Sequence, residues 1–171
     1  MSSQSLTIPF NFQDNFEIDL DRIKIRLLQR KDVNEIYEMY SDTDAMRYRS
    51  NSPLKSIREA EDFIKQSIHE KSVRPGIELK PEKKIIGSVL WKINKDDENE
   101  VGYSIGKRYW NYGFATEAMK GWTNFITSLI MDNLYATVHS KNVASINVLR
   151  KLNFEFVSEN ENKILKYVLK K

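Results

Sequence analysis

Between positions 103 and 119 the chain reads YSIGKRYWNYGFATEAM. An alternating stretch ends in a short turn carrying Gly113, ringed by Trp110, Tyr112 and Phe114, and the turn passes at once into helix-forming residues. The first N–H groups of a helix lack intrahelical acceptors, and the macrodipole adds about half a positive charge there. A phosphate is the natural guest of such a site. Gly113 permits a close backbone approach, or a positive φ that Tyr112 would adopt only with strain, and the small Ala115 serves the same closeness. Rival phosphate loops fit less well: there is no G-x-x-x-x-G-K-[ST] run, and Gly102, Gly106 and Gly113 miss the G-x-G-x-x-G spacing. From the loop alone, an ordinary glycine-containing connection with aromatic packing stands as the alternative.

What the chain lacks narrows the chemistry further. It has no cysteine, which removes disulfides, thiolate ligands and an acyl-cysteine intermediate together. His69 and His139 lie far apart and offer no zinc-type spacing, so they read as structural or surface residues and no metal is expected. The net charge of +3 is mild and the charges alternate in sign, without the basic stripe of a nucleic-acid binder. No apolar run reaches the length of a membrane span. The opening MSSQSLTIPFNFQDNF has no basic-then-apolar signal pattern, which leads us to expect a cytoplasmic protein.

The loop needs a scaffold, and 171 residues, 40% of them hydrophobic, are enough for one domain with a real core. RIKIRLLQR (22–30) alternates Ile23, Ile25 and Leu27 with basic residues and reads as a strand. DVNEIYEMY (32–40) has helical spacing with Asp32 as N-cap. SIREAEDFIKQSIHE opens on a Ser56-x-x-Glu59 capping box and continues as a second helix with Ala60, Phe63, Ile64 and Ile68 on one face. GIELK and KIIGSVLWKI, joined by PEKK, form a hairpin, and EVGYSIG follows as a third strand. A helix begins at Phe114; LYATVHS (134–140) is a strand, VASINVLRKL (143–152) a helix, and FEFVS and ILKYVL close the chain as strands. The helix between EVGYSIG and LYATVHS predicts a right-handed parallel crossover. The expected fold is a mixed α/β sheet, antiparallel at its start and parallel at its centre, with residues 1–20 an irregular N-terminal extension.

E-x-G-Y-x-I, then Y-W-x-x-G-x-A-T-E-A, then N-x-x-S-x-x-V-L-x-K-L-x-F, in this order and at these separations, resembles the GNAT superfamily of acetyltransferases. The pattern is most similar to the branch of the RimJ and RimL ribosomal-protein N-terminal acetyltransferases, and a weaker likeness reaches back through RIKIRLLQRKDVNEIYEMYSD. The resemblance implies one acetyltransferase domain over 1–171, with a parallel central pair splayed to admit acetyl-CoA. It implies that a six-residue loop binds the CoA pyrophosphate through backbone amides. Here that loop is Trp110, Asn111, Tyr112, Gly113, Phe114 and Ala115, with Thr116 adding an N–H and a hydroxyl. Trp110 stands where Gln or Arg is typical and Asn111 where this branch often has Gly, which narrows the approach. Trp110 and Tyr112 would wall the loop while Phe114 turns into the core.

By the same resemblance the backbone of Tyr103, Ser104 and Ile105 pairs with the pantetheine arm as an added strand, and an N–H there polarises the thioester carbonyl. Asn142 matches the family asparagine that helps hold pantetheine, and a plain helix N-cap is its other reading. Lys141, Arg150 and Lys151 could meet the CoA phosphates, or be solvated surface charges. Acetylation needs a neutral amine, which at pH 7 costs about 4–5 kcal/mol for a lysine ammonium but only about 1 for an α-amino group. Glu100 resembles the strand glutamate that serves several GNAT enzymes as base, a register that needs the preceding loop to be one residue shorter, so Glu98 stands as a second candidate and a solvated glutamate at the end of DDENE as the alternative. The tyrosine that protonates the thiolate in other branches is missing: seven residues beyond Asn142 stands Leu149. In the RimL-like branch the serine of N-x-x-S takes this task, which here is Ser145, a weak acid unless coupled to a relay.

The expected activity is direct transfer from acetyl-CoA to a primary amine, a protein N-terminus or a small amine or antibiotic. A CoA-binding sensor without catalysis and a protein-interaction module with an empty cleft remain as alternatives. Acceptor contacts are expected from residues 32–71, around DAMRYRSNSPL, and from the terminal strands. Dimers are common among such enzymes, which admits a homodimer here.

Overall fold

The structure, a computed structural model, describes residue 12 and residues 15–171. In chain order the strands are β1 (Glu17–Asp19), β2 (Ile23–Arg26), β3 (Ile68–His69), β4 (Ser72–Val73), β5 (Gly76–Leu79), β6 (Lys84–Ile93), β7 (Asn99–Ile105), β8 (Leu134–His139), β9 (Glu155–Glu159) and β10 (Ile164–Leu169). The helices are α1 (Val33–Ser41), α2 (Ile57–Lys65), α3 (Phe114–Leu129) and α4 (Val143–Lys151). They build one sheet in the order β1-β2-β5-β6-β7-β8-β10-β9, with the β3–β4 hairpin attached to β6. Every pairing is antiparallel except β7 with β8, as expected of the mixed sheet.

Three local readings change. Within the stretch expected to be irregular, Glu17–Asp19 pair with β2, a strand too short to show alternation; residues 1–11, 13 and 14 lie outside the described residues. The second helix stops at Lys65 rather than running to residue 70, and Ile68, expected on its apolar face, is an exposed residue opposite Val73 in the β3–β4 hairpin. Asp32 sits at the N-cap of α1 without capping it. Its carboxylate turns back to accept from Gln29 N (2.7 Å) and from both Arg26 terminal nitrogens (2.8 and 2.9 Å). Arg26 also donates to Glu78 at 2.6 Å, so this basic residue of the alternating strand is buried and paired with two carboxylates.

The apolar residues divide between two layers. On one face of the sheet Val89, Trp91, Val101 and Ile105 pack under Phe114, Met119 and Trp122 of α3. The Trp122 indole, fully buried, donates to Leu90 O at 2.9 Å. On the other face Ile36, Met39 and Tyr40 of α1 and Ala60 of α2 cover Ile85. A period of two in the strands and of 3.6 in the helices requires this sandwich.

The centre of the sheet is incomplete. Asn99 pairs with Leu134 and Glu100 with Tyr135, and there the β7–β8 ladder ends. Beyond Glu100 the two strands diverge, β7 keeping β6 and β8 keeping β10.

Candidate functional site

The pleat decides what β7 offers to the gap. Neighbouring residues of a strand direct their main-chain groups to opposite sides. Val89, opposite Tyr103, donates to Pro75 O (3.0 Å), away from β7, whereas Gly106 donates to Ile86 O (2.8 Å) across the ladder. Tyr103 and Ile105 therefore face the gap, while Ser104 faces β6 and has no main-chain group to give a ligand there. Three consecutive residues cannot all pair as the resemblance implied, because only alternate ones reach. The two carbonyls are also in use: Arg49 Nη2 donates to Tyr103 O (2.7 Å) and the Trp110 indole to Ile105 O (2.8 Å). What the gap has to offer is the N–H groups of Tyr103 and Ile105.

The loop closes the open end. After a 3-10 turn at Lys107–Tyr109, Asn111 takes φ 66° and Gly113 φ 81° before α3 begins. Asn111 thus occupies a left-handed conformation that glycine favours and asparagine tolerates, which is why the family's glycine is dispensable here. Among the described residues, no protein acceptor meets the amides of residues 111–116; the first helical bond is Glu117 N to Gly113 O at 3.1 Å. Phe114 is buried as expected, whereas Trp110 and Tyr112 are exposed.

Arg22, at the entry to β2, holds this loop from below. Its Nη1 donates to Tyr112 O (2.7 Å), its Nε to Glu117 Oε2 (2.7 Å), and its guanidinium lies 4.5 Å from the Phe114 ring centroid. The backbone N–H of Arg22 reaches the other Glu117 oxygen at 2.8 Å. Glu117, in the first turn of α3, would oppose an anion at the helix start, and Arg22 neutralises it. Nothing local in the sequence signals a contact spanning 95 residues.

The expected proton-transfer residues lie on both faces of the gap. On the α3–α4 face Tyr103 Oη meets Ser145 Oγ at 2.9 Å. Burial pushes the Tyr103 phenol up, against the pull of Ser145 and the Arg49 charge. Asn142 caps α4, accepting from Ser145 N at 3.3 Å. Leu149 is buried in the core, so its place holds no acid. On the α1–α2 face, at the foot of the gap, Glu100 accepts from Thr137 (3.1 Å) and Asn94 (3.3 Å) and pairs with Lys92 at 3.4 Å. Glu98 is tied more closely, to Lys166 at 2.6 Å; that partner and Asn94 hold its carboxyl below the usual range although burial works the other way.

Above Glu100 on the same face the loop after α1 supplies Tyr48, stacked on His139 at 5.2 Å between centroids, and Arg49. Tyr40 Oη bonds Ser88 Oγ at 2.6 Å beneath them. The DAMRYRSNSPL segment does reach the mouth of the gap, through Tyr48 and Arg49. Arg74, which also faces Tyr40, carried no signal in the sequence. Among the described residues no group of three His, Asp or Glu side chains is arranged to hold a metal, and no helix is long and apolar enough to cross a membrane.

Residues 22–155 match the family model of the acetyltransferase (GNAT) domain. The chain is 28% identical over 143 residues to the uncharacterised N-acetyltransferase p20 of Bacillus licheniformis, covering 79% of this chain and 80% of that one. It is 27% identical over 139 residues to the spermidine N(1)-acetyltransferase of Escherichia coli K12, covering 80% and 75%. Among solved structures, a putative ribosomal-protein-serine acetyltransferase from Vibrio cholerae superposes with a TM-score of 0.77 at 18% identity, over 94% and 100% of the two chains. The spermidine N-acetyltransferase of Vibrio cholerae, in complex with CoA and spermine, gives 0.74 at 20% identity over 87% and 95%.

Proposed function

As a member of the GNAT family the chain is an N-acetyltransferase, and we propose that it binds acetyl-CoA in the β7–β8 gap and moves the acetyl group directly to a primary amine. The observation that carries this reading is the row of unengaged amides at residues 111–116, at the open end of two strands that part after Glu100. A diphosphate there meets several N–H donors and the α3 dipole. The N–H groups of Tyr103 and Ile105 pair with the extended pantetheine arm, and one of them stabilises the oxyanion as the amine attacks the thioester carbonyl. Asn142 helps to fix that arm from the α4 start.

The two faces of the gap divide the proton traffic. The amine enters on the α1–α2 face, where Glu100 accepts its proton through a chain of waters, because about four residues of strand, roughly 13 Å, separate Glu100 from Ser104. The C–S bond breaks as the new C–N bond is completed, and the departing thiolate takes the Ser145 hydroxyl proton. Tyr103, at 2.9 Å, re-protonates Ser145 and regains its own proton from solvent as the products leave, while Glu100 releases the amine proton to solvent, so that a weak acid becomes part of a relay that resets. Direct transfer follows from the absence of any cysteine to carry the acetyl group. The motif order supports placement near the RimJ/RimL-like branch, with a peptide N-terminus or a small amine as acceptor.

The test is acetyl-CoA binding by calorimetry together with release of free thiol over a panel of amines. We expect binding and amine-dependent thiol in the wild type, and loss of binding in Gly113→Val, since a β-branched residue cannot take φ 81° without strain. No heat and no thiol would end the proposal. Binding without thiol would favour a CoA sensor, a reading supported by the prior engagement of both Glu98 and Glu100.

A further inference from the structure

Building on the acetyltransferase reading, we propose that the acceptor carries an anionic group, carboxylate or phosphate, close to its amine, and that Arg49 and Arg74 hold that anion. Four other arginines have acidic partners: Arg22 has Glu117, Arg26 has Asp32 and Glu78, Arg30 has Glu61, and Arg47 has Asp44. Among the described residues no carboxylate lies within ion-pair distance of Arg49 or Arg74, and both are half-buried. Arg58, Arg108 and Arg150 also lack such a partner, but they are exposed and water serves them.

The two guanidiniums belong to one place. Arg49 lies 5.5 Å from the Tyr40 ring centroid and Arg74 5.3 Å from that of Phe63, and those two rings are 4.5 Å apart. Each charge acts on the other's surroundings. Burial, aided by Arg74, pulls Arg49 below the ordinary arginine range. Burial would raise the Tyr40 phenol, yet the charges of Arg74 and Arg49, together with hydrogen bonds from Ser88 and Ser104, outweigh it and bring the phenol down. Two half-buried cations without a counter-ion are an incomplete arrangement, because a desolvated charge is tolerated only when paired.

Arg49 also locates the subsite. Its Nη2 is 2.7 Å from the carbonyl of Tyr103, at the edge of the gap where the reacting carbon would lie. An anion on Arg49 and Arg74 sets a neighbouring amine against that carbon, and the same positive field favours the neutral amine over its ammonium. A polyamine suits this face poorly. It would add cations beside two arginines, while Glu98 and Glu100 are already paired with Lys166 and Lys92.

Matched acceptors test the proposal: alanine against alaninamide, glucosamine 6-phosphate against glucosamine, and spermidine as the cationic probe. Thiol release gives kcat/KM, and calorimetry without acetyl-CoA gives binding of the two anionic probes. We expect the anionic member of one pair to be favoured roughly tenfold to a hundredfold; which pair responds tells carboxylate from phosphate. Arg74→Met should abolish that preference with acetyl-CoA affinity within about twofold of wild type, whereas the exposed-site control Arg58→Met should retain it. Spermidine preference, the lack of any Arg74-dependent anion preference in either pair, or loss of acetyl-CoA affinity in Arg74→Met would each overturn the proposal. A wild type that binds no acetyl-CoA would instead overturn the acetyltransferase reading on which this one rests.

Discussion

Arg22→Ala isolates the electrostatics of the phosphate loop. The substitution removes the bond to Tyr112 O (2.7 Å), the Glu117 ion pair (2.7 Å) and the contact with Phe114 (4.5 Å). The ion pair is half-exposed, so its direct contribution to stability is below about 1 kcal/mol. The larger effect falls on the ligand. The backbone N–H of Arg22 survives the substitution and keeps Glu117 Oε1 at the start of α3, now as an uncompensated negative charge. At ~8 Å and an effective dielectric of about 20, that charge opposes each unit of phosphate charge by on the order of 2 kcal/mol, before screening by salt. Screening and loop relaxation reduce this, and acetyl-CoA Kd should rise about 10- to 100-fold at low salt. The double variant Arg22→Ala/Glu117→Gln removes the repulsion and keeps an oxygen for the Arg22 N–H, so it should recover about a factor of ten. Calorimetry at two ionic strengths measures all four corners of the cycle. An Arg22→Ala protein that binds within threefold of wild type, or a double variant no tighter than the single, would refute the reasoning.

Tyr103→Phe and Ser145→Ala should each lower kcat about tenfold with acetyl-CoA Kd little changed, and the double variant should be no slower than either; multiplicative losses in steady-state kinetics would exclude a shared relay. The Glu98 carboxyl is depressed in the folded protein, so its contribution is present above the unfolded value of about 4.3 and disappears as pH falls through the lower folded one. Denaturant midpoints in Glu98→Gln should therefore converge on the wild type below that window and fall short of it above. Trp122→Ala removes a fully buried indole and its bond to Leu90 O and should cost about 3–5 kcal/mol by urea unfolding, with m unchanged.

The parts legible in advance were those with a local cause. Ser56 and Glu59 announced α2, and Ser56 Oγ does accept from Glu59 N, at 3.3 Å. The alternation of Val101, Tyr103 and Ile105 announced β7, and Gly113 announced the turn into α3. Where α2 ends was not legible, since Ile68 continues a helical period that the β3–β4 hairpin overrides with strand pairing. Asp32 looked like a cap because the sequence does not reveal that Arg26, six residues earlier, competes for it. Arg22 with Glu117, and Arg49 with Arg74, are brought together only by the sheet order, so their roles emerge from the fold alone. The orientation of Ser104 is hidden for a smaller reason: alternate residues of a strand direct their main-chain groups to opposite sides, and the hydrogen bonds of the neighbouring strands fix which ones face the gap.

The early end of the β7–β8 ladder has a mechanical consequence. With only Asn99–Leu134 and Glu100–Tyr135 matched across the centre, β8, β10 and β9 form a flap sewn to the rest of the sheet by a short seam and by helix packing. A substrate arm lying in the slot acts as a tendon, restoring main-chain continuity from one edge of the molecule to the other. Amide exchange in β8 should then slow when the slot is filled, and each release of the product arm should leave the two halves less firmly joined than in the complex.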